Sequence, residues 1–199
     1  ERGIPAVAPL RMADGATYLT HEGRFVVLLP FVTGEQFPRD QLQPSCIEAM
    51  GHCLGEMHTV LASCPPADIR EVDIRMNRQD RIDRINQLEA CVRAIERPVA
   101  TDEYALRRLI TRREWLQTRT IEDVGALYDL PFQILHGDYQ ESNLFFERGV
   151  VSAIIDWDKV YTAPPAWEVV RTLHLMLRFE AEPCRLFLDA YRERRAISD

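Results

Sequence analysis

HGDYQESNLFF at residues 136–146, followed by IIDWDK at 154–159, decides how the rest of the chain is read. These stretches lie where the apolar pattern of the C-terminal part changes from helical to strand-like. FQILH at 132–136 reads as a short strand. NLFF at 143–146 and VVSAIID at 150–156 read as two more, joined by a turn at Glu147-Arg148-Gly149. Three oxygen-bearing side chains, Asp138, Asn143 and Asp156, fall at the ends of these strands. A strand-rich island inside a helical region is a common setting for a site, because rigid elements hold the loops between them.

Outward from this island the chain is mostly helical after residue 40. Pro44 suits the first turn of a helix on which Ile47, Met50, Leu54, Met57 and Leu61 recur at helical spacing. Cys64-Pro65-Pro66 stops it. A second helix is expected from near Asn77, with Ile82, Ile85, Leu88, Val92 and Ile95 on one face, to a point before Pro98. A third is expected from Thr101, acting as its cap, and carries Leu106, Leu109, Ile110 and Leu116. Helices resume at about 166–178 and 182–195. The pattern differs before residue 34. ATYLT at 16–20 and FVVLLPFV at 25–32 read as strands around a turn at His21–Arg24, with Pro30 ending regular pairing. Ile4 to Pro9 reads as an extended lead-in.

The 199 residues are 46% hydrophobic and 28% charged, a globular composition long enough for a sizeable core. A net charge of −7 argues against sequence-independent binding to nucleic acid. No apolar run reaches the roughly 18 residues of a membrane span, and no signal peptide opens the chain. Five cysteines form no CxxC pair and read as reduced thiols, so a cytoplasmic protein is expected. No G-x-S-x-G is present, which argues against a serine hydrolase. The five histidines do not cluster near the island as a di-metal hydrolase would need. His58 lies on an apolar helix face and reads as a core histidine.

The island's spacing is informative chemically. His136-Gly137-Asp138, four residues, then Asn143 is the arrangement of a kinase catalytic loop, and Asp156 follows thirteen residues after the Asn. Phosphoryl transfer asks the protein mainly to position a hydroxyl and to neutralise phosphate oxygens. An Asp can orient the hydroxyl proton. An Asn amide oxygen and a second carboxylate suit a hard, oxygen-seeking cation such as magnesium.

HGDYQESNLFF with IIDWD resembles the aminoglycoside phosphotransferase and choline kinase family, which has a protein-kinase-like fold. FVVLLPFVTG at 25–34 resembles that family's last small-lobe strand and hinge. LGEMHTVL at 54–61 resembles its helix ending in a Leu-His type sequence, and PAWEVVR at 165–171 the segment after its metal motif. The resemblance implies an α+β fold, with residues 1–33 ending a small β lobe plus hinge and 34–199 forming the helical large lobe. It implies an ATP- and Mg2+-dependent kinase acting on a hydroxyl of a small molecule, with a non-catalytic kinase-fold module as the alternative.

The implied roles fall on named residues. Asp138 is the catalytic Asp, Asn143 and Asp156 are the magnesium ligands, and His136 braces the loop. Asp158 is a supporting acid. Adenine would pair with the Pro30 carbonyl and the Val32 N–H, over a floor of Leu144 and Ile155. Tyr139, Gln140 and Glu141 sit where the loop varies, and some are expected to face substrate. Trp157 and Trp167 are expected in the core. The family's phosphate loop, clamping lysine and partner glutamate find no match. The nine glycines form no G-x-G-x-x-G, and the one lysine, Lys159, lies after the metal motif, as a surface ion pair or a substrate-side group. The chain is therefore expected to be a fragment whose 199 residues transfer phosphate negligibly by themselves.

Overall fold

A computed structural model describes residues 3–65, 69–72, 77–119 and 129–197. The stop expected at Pro66 lies outside them. The chain divides into two compact units, Glu1–Val72 with Pro131–Asp199, and Asp73–Leu130.

The first unit is built on α1 (Pro44–Leu61) and α5 (Ala181–Arg194). Pro44 takes the first turn of α1, where its missing N–H costs nothing. Gly51 and Gly55 let the two helices approach closely: a Cβ at Gly51 would lie 2.4 Å from the Phe187 carbonyl, and one at Gly55 2.8 Å from that of Tyr191. Met50, Leu54, Met57, Phe187 and Tyr191 are fully buried in the resulting core.

Short strands lie against this core. β4 (Leu144–Glu147) and β5 (Val150–Ile154) form an antiparallel hairpin whose turn places Arg148 and Gly149 at φ of 53° and 80°. β3 (Gln133–Leu135) pairs with β6 (Tyr161–Ala163), a strand that sequence pattern does not foresee. α4 (Pro165–Leu175) follows. The lead-in runs along β5, with Ile154 N–H donating to Pro5 O at 2.8 Å and Val7 N–H to Ile154 O at 3.2 Å. β1 (Leu19–His21) and β2 (Arg24–Val26) make a separate exposed hairpin. The strand expected over 25–32 thus ends at Val26, well before Pro30. In that remainder Leu28 O accepts from Leu10 N–H at 2.9 Å.

The second unit holds α2 (Arg78–Arg93) and α3 (Ala100–Thr118). Asn77 caps α2 as expected, accepting from the N–H groups of Gln79 and Asp80 at 3.0 and 3.3 Å. α2 ends at Arg93, short of Pro98, and Leu88 and Ile95 of its expected apolar face are exposed. α3 starts one residue before the expected cap, because Asp102 reaches back to the Val99 N–H at 2.9 Å and leaves Thr101 inside the first turn. Ile85 and Leu116 are buried here, and Glu89 joins Arg93 and Arg113.

Candidate active site

β3 delivers the chain into His136-Gly137-Asp138. Gly137 has φ of +84°, and a Cβ there would lie 2.1 Å from the Lys159 carbonyl. Only glycine lets the loop lie against the segment entering β6. His136 is fully buried. Its Nδ1 accepts from the Asp138 N–H at 3.2 Å, so Nε2 carries the proton and donates to Ile155 O at 3.0 Å. Burial pushes the His136 pKa down, with Glu168 opposing, and the ring is neutral. A neutral ring with both nitrogens engaged holds the loop to the end of β5, the geometry of a brace.

The loop is also held from beneath. Glu168 on α4 is 1% exposed and accepts from the Gly137 N–H at 2.6 Å and the His136 N–H at 3.3 Å. His58 Nε2 donates to the same carboxylate at 3.0 Å, and His58 Nδ1 accepts from the Tyr191 hydroxyl at 2.8 Å. Burial pushes Tyr191 up to about 12, so its hydroxyl keeps the proton it donates. His58 is the buried histidine that the sequence suggests, but it also links α1, α5 and α4 to the loop. Glu168 lies in the PAWEVVR segment, and its partners come together only in the fold.

Asp138 is 7% exposed. Its Oδ2 accepts from Lys159 Nζ at 2.8 Å and from the side-chain amides of Asn143 and Gln140, each at 3.3 Å. The Asn143 amide nitrogen also donates to Asp138 O at 2.8 Å. With Nδ2 so committed, Oδ1 is the atom of Asn143 left to meet a ligand. Ile155 N–H donates to Asn143 O at 3.0 Å, which ties the loop that carries Asp138 and Asn143 to the residue before Asp156. Asp156 has left-handed backbone, φ 61° and ψ 64°, and this turn carries its exposed carboxylate off the end of β5. Asp158 and Lys159 follow on a 3-10 turn, Trp157–Lys159.

Two cavities flank that turn. The larger, about 1220 Å³, is mainly apolar and includes Pro30, Val32, Phe145, Ile155, Asp156 and Asp158 in its walls. Leu144, expected on its floor, is fully buried in the core and does not line it. Leu144 and Phe146 face the core, and Phe145, on the other face of β4, takes the wall position. The smaller cavity, about 550 Å³, is lined by Gly137, Asp158, Lys159 and Arg171 among others. Asp158 lines both. Trp157 borders the first and Trp167 the second, each half-buried, so neither is wholly a core residue. Tyr139 does not face substrate. It is buried, and its hydroxyl donates to Met50 O at 2.9 Å. Glu141 pairs with Arg39 at 3.3 Å.

Among the described residues no three His, Cys, Asp or Glu side chains gather as a metal cage. Asn143 Oδ1 and Asp156 are two hard oxygen donors. That set fits Mg2+, which commonly takes one or two protein ligands and completes its shell with water and phosphate oxygens.

A helical body with short antiparallel sheets, presenting an Asp-Asn loop beside an Asp-bearing hairpin, is the protein-kinase-like class of fold. Residues 1–198 match the model of the phosphotransferase enzyme family, and the chain belongs to that family. It is 26% identical, over its whole length, to a homoserine kinase of Bradyrhizobium sp. (strain ORS 278), of which it covers 58%. Among solved structures it is similar to an aminoglycoside phosphotransferase from Alicyclobacillus acidocaldarius, with TM-score 0.62, 18% identity and coverage of 96% of this chain and 60% of that one. A spectinomycin phosphotransferase solved with ADP and spectinomycin gives TM-score 0.64 and 15% identity, covering 98% of this chain and 61% of that one. The chain thus spans about three-fifths of the length of these relatives.

Proposed function

We propose that the chain belongs to a small-molecule kinase that transfers the γ-phosphoryl group of ATP, with Mg2+, to a hydroxyl acceptor. The observation that carries this reading is the pair of cavities sharing Asp158 and separated by the turn whose Lys159 holds Asp138. A transferase must hold two ligands against each other, and a binding module need not. In this reading the larger cavity takes the nucleotide, with the Pro30 carbonyl and Val32 N–H at the adenine edge and Ile155 under the ring. Asn143 Oδ1 and Asp156 would hold Mg2+, which neutralises phosphate oxygens when bound. Asp138 orients the acceptor hydroxyl and takes its proton. Lys159 keeps the carboxylate aimed, while His136 and Glu168 hold the loop still. Residues 1–33 would belong to the small lobe and 34–199 to the large one, in a cytoplasmic enzyme.

The chain's one lysine is engaged by Asp138. No other ammonium is present to clamp phosphates, a group whose loss commonly costs several kcal/mol of transition-state stabilisation (about 3–4). The 199 residues alone should therefore bind Mg-nucleotide weakly and turn over negligibly. Ligand-observed NMR with ADP tests the reading. Mg2+ should tighten ADP binding to the wild-type chain, Asp156→Asn should remove that gain, and Asp138→Asn should keep it. Binding indifferent to Mg2+ in the wild type would overturn the proposal. The homoserine kinase relative makes a hydroxy amino acid the first acceptor to try.

A further inference from the structure

We infer that the smaller cavity is an anion-recognition subsite, and that the acceptor of this kinase carries a carboxylate or phosphate beside its reacting hydroxyl. The inference deepens the kinase reading and rests on it.

The cavity adjoins Gly137, next in sequence to Asp138, so whatever fills it lies beside the proposed base. Its walls carry three cationic side chains, Arg70, Lys159 and Arg171, on two aromatic surfaces, Tyr161 and Trp167. Asp158 is the one acid among its described lining residues. Lys159 is spent on Asp138. Neither Arg70 nor Arg171 forms a side-chain hydrogen bond or ion pair with any described residue. Arg171 is half-buried and Arg70 exposed. Two guanidiniums and an ammonium thus line one concavity of a chain whose net charge is −7.

Guanidinium forks match carboxylate and phosphate oxygens in pairs, and do so best where water is partly excluded. Tyr161 is buried, and burial pushes its pKa up, so its ring is a neutral wall with no competing negative charge. A volume of about 550 Å³ suits a small polar molecule. The described lining is hostile to a polycationic acceptor or a quaternary amine, which would meet Arg70 and Arg171 against Asp158. The site therefore selects against cationic acceptors by repulsion as well as for anionic ones by pairing.

The test uses the full chain with L-homoserine, glycerol 3-phosphate, choline and kanamycin as probes, read by ligand-observed NMR. L-homoserine, a zwitterion with a carboxylate, or glycerol 3-phosphate should bind, with salt weakening it, and choline and kanamycin should not. Preference between the first two identifies carboxylate or phosphate as the recognised group. Arg70→Gln with Arg171→Gln should weaken that binding by about tenfold or more, while Mg-ADP binding and the melting temperature stay at wild-type values. Arg171→Lys should recover part of it. Binding by choline or kanamycin in place of homoserine and glycerol 3-phosphate, no binding by either of the latter two, or wild-type affinity in the double variant would each overturn the inference. Loss of Mg-dependent ADP binding would overturn the kinase reading instead, and is scored separately.

Discussion

Asp156, a magnesium ligand in the proposed reading, sits in a left-handed backbone conformation. Its left-handed conformation is tolerated by Asp better than by most side chains, yet still costs roughly 1 kcal/mol relative to glycine. Asp156→Gly should therefore raise the unfolding free energy by about 0.5–1 kcal/mol in urea titrations, while abolishing the effect of Mg2+ on ADP binding. A glycine variant less stable than wild type would mean that the carboxylate is itself a structural anchor. At this scale Asp138, Asn143 and Asp156 were legible because their linear spacing is fixed by one loop and one hairpin. Lys159 was only half legible. Its pairing with Asp138 requires the 3-10 turn to fold back over Gly137, and no local pattern encodes that. Leu144 was misread for a simpler reason: a strand offers alternate residues to each face, and the core took the even positions of β4.

The elements are held around the loop by one buried carboxylate. Glu168 on α4 accepts from two loop N–H groups and from His58 on α1, which in turn takes the Tyr191 hydroxyl of α5. Glu168→Gln puts an amide donor where acceptors are needed and should destabilise by about 2–3 kcal/mol, seen as a lower urea midpoint at unchanged slope. Tyr191→Phe removes one neutral bond and should cost about 1 kcal/mol. If both cost the same, the carboxylate is not the centre of the network. The α1–α5 contact makes a second expectation. Gly51→Ala drives a Cβ into the Phe187 carbonyl, so the helices must part, at about 1–3 kcal/mol. Periodicity and punctuation located the helices of both units well, since Pro44 and Asn77 act locally. They failed where the outcome depends on a partner: β6 is a strand because β3 is beside it, and 27–32 is not strand despite its composition.

At the scale of the whole molecule, stability should carry the signature of His136. Burial holds its native pKa below the ordinary value of 6.5, so the folded state keeps the ring neutral while the unfolded chain protonates it. The unfolded state then binds more protons, and stability must fall as pH drops. The loss begins near 6.5 and deepens toward the native pKa, with a slope of at most about 1.4 kcal/mol per pH unit for one proton. Glu89 and Glu182, whose carboxyls are held low by Arg93 and Arg185, act in the same direction but only below about 4.5. Of these three groups, His136 alone acts in the interval from pH 6.5 to 5. His136→Gln can still donate to the Ile155 carbonyl, and should be less stable than wild type at pH 8 yet nearly flat across that interval. Urea midpoints measured on both proteins from pH 8 to pH 5 decide the matter. An equal slope in the variant would place the proton uptake at another group, and would remove the case for His136 as a neutral brace of the loop.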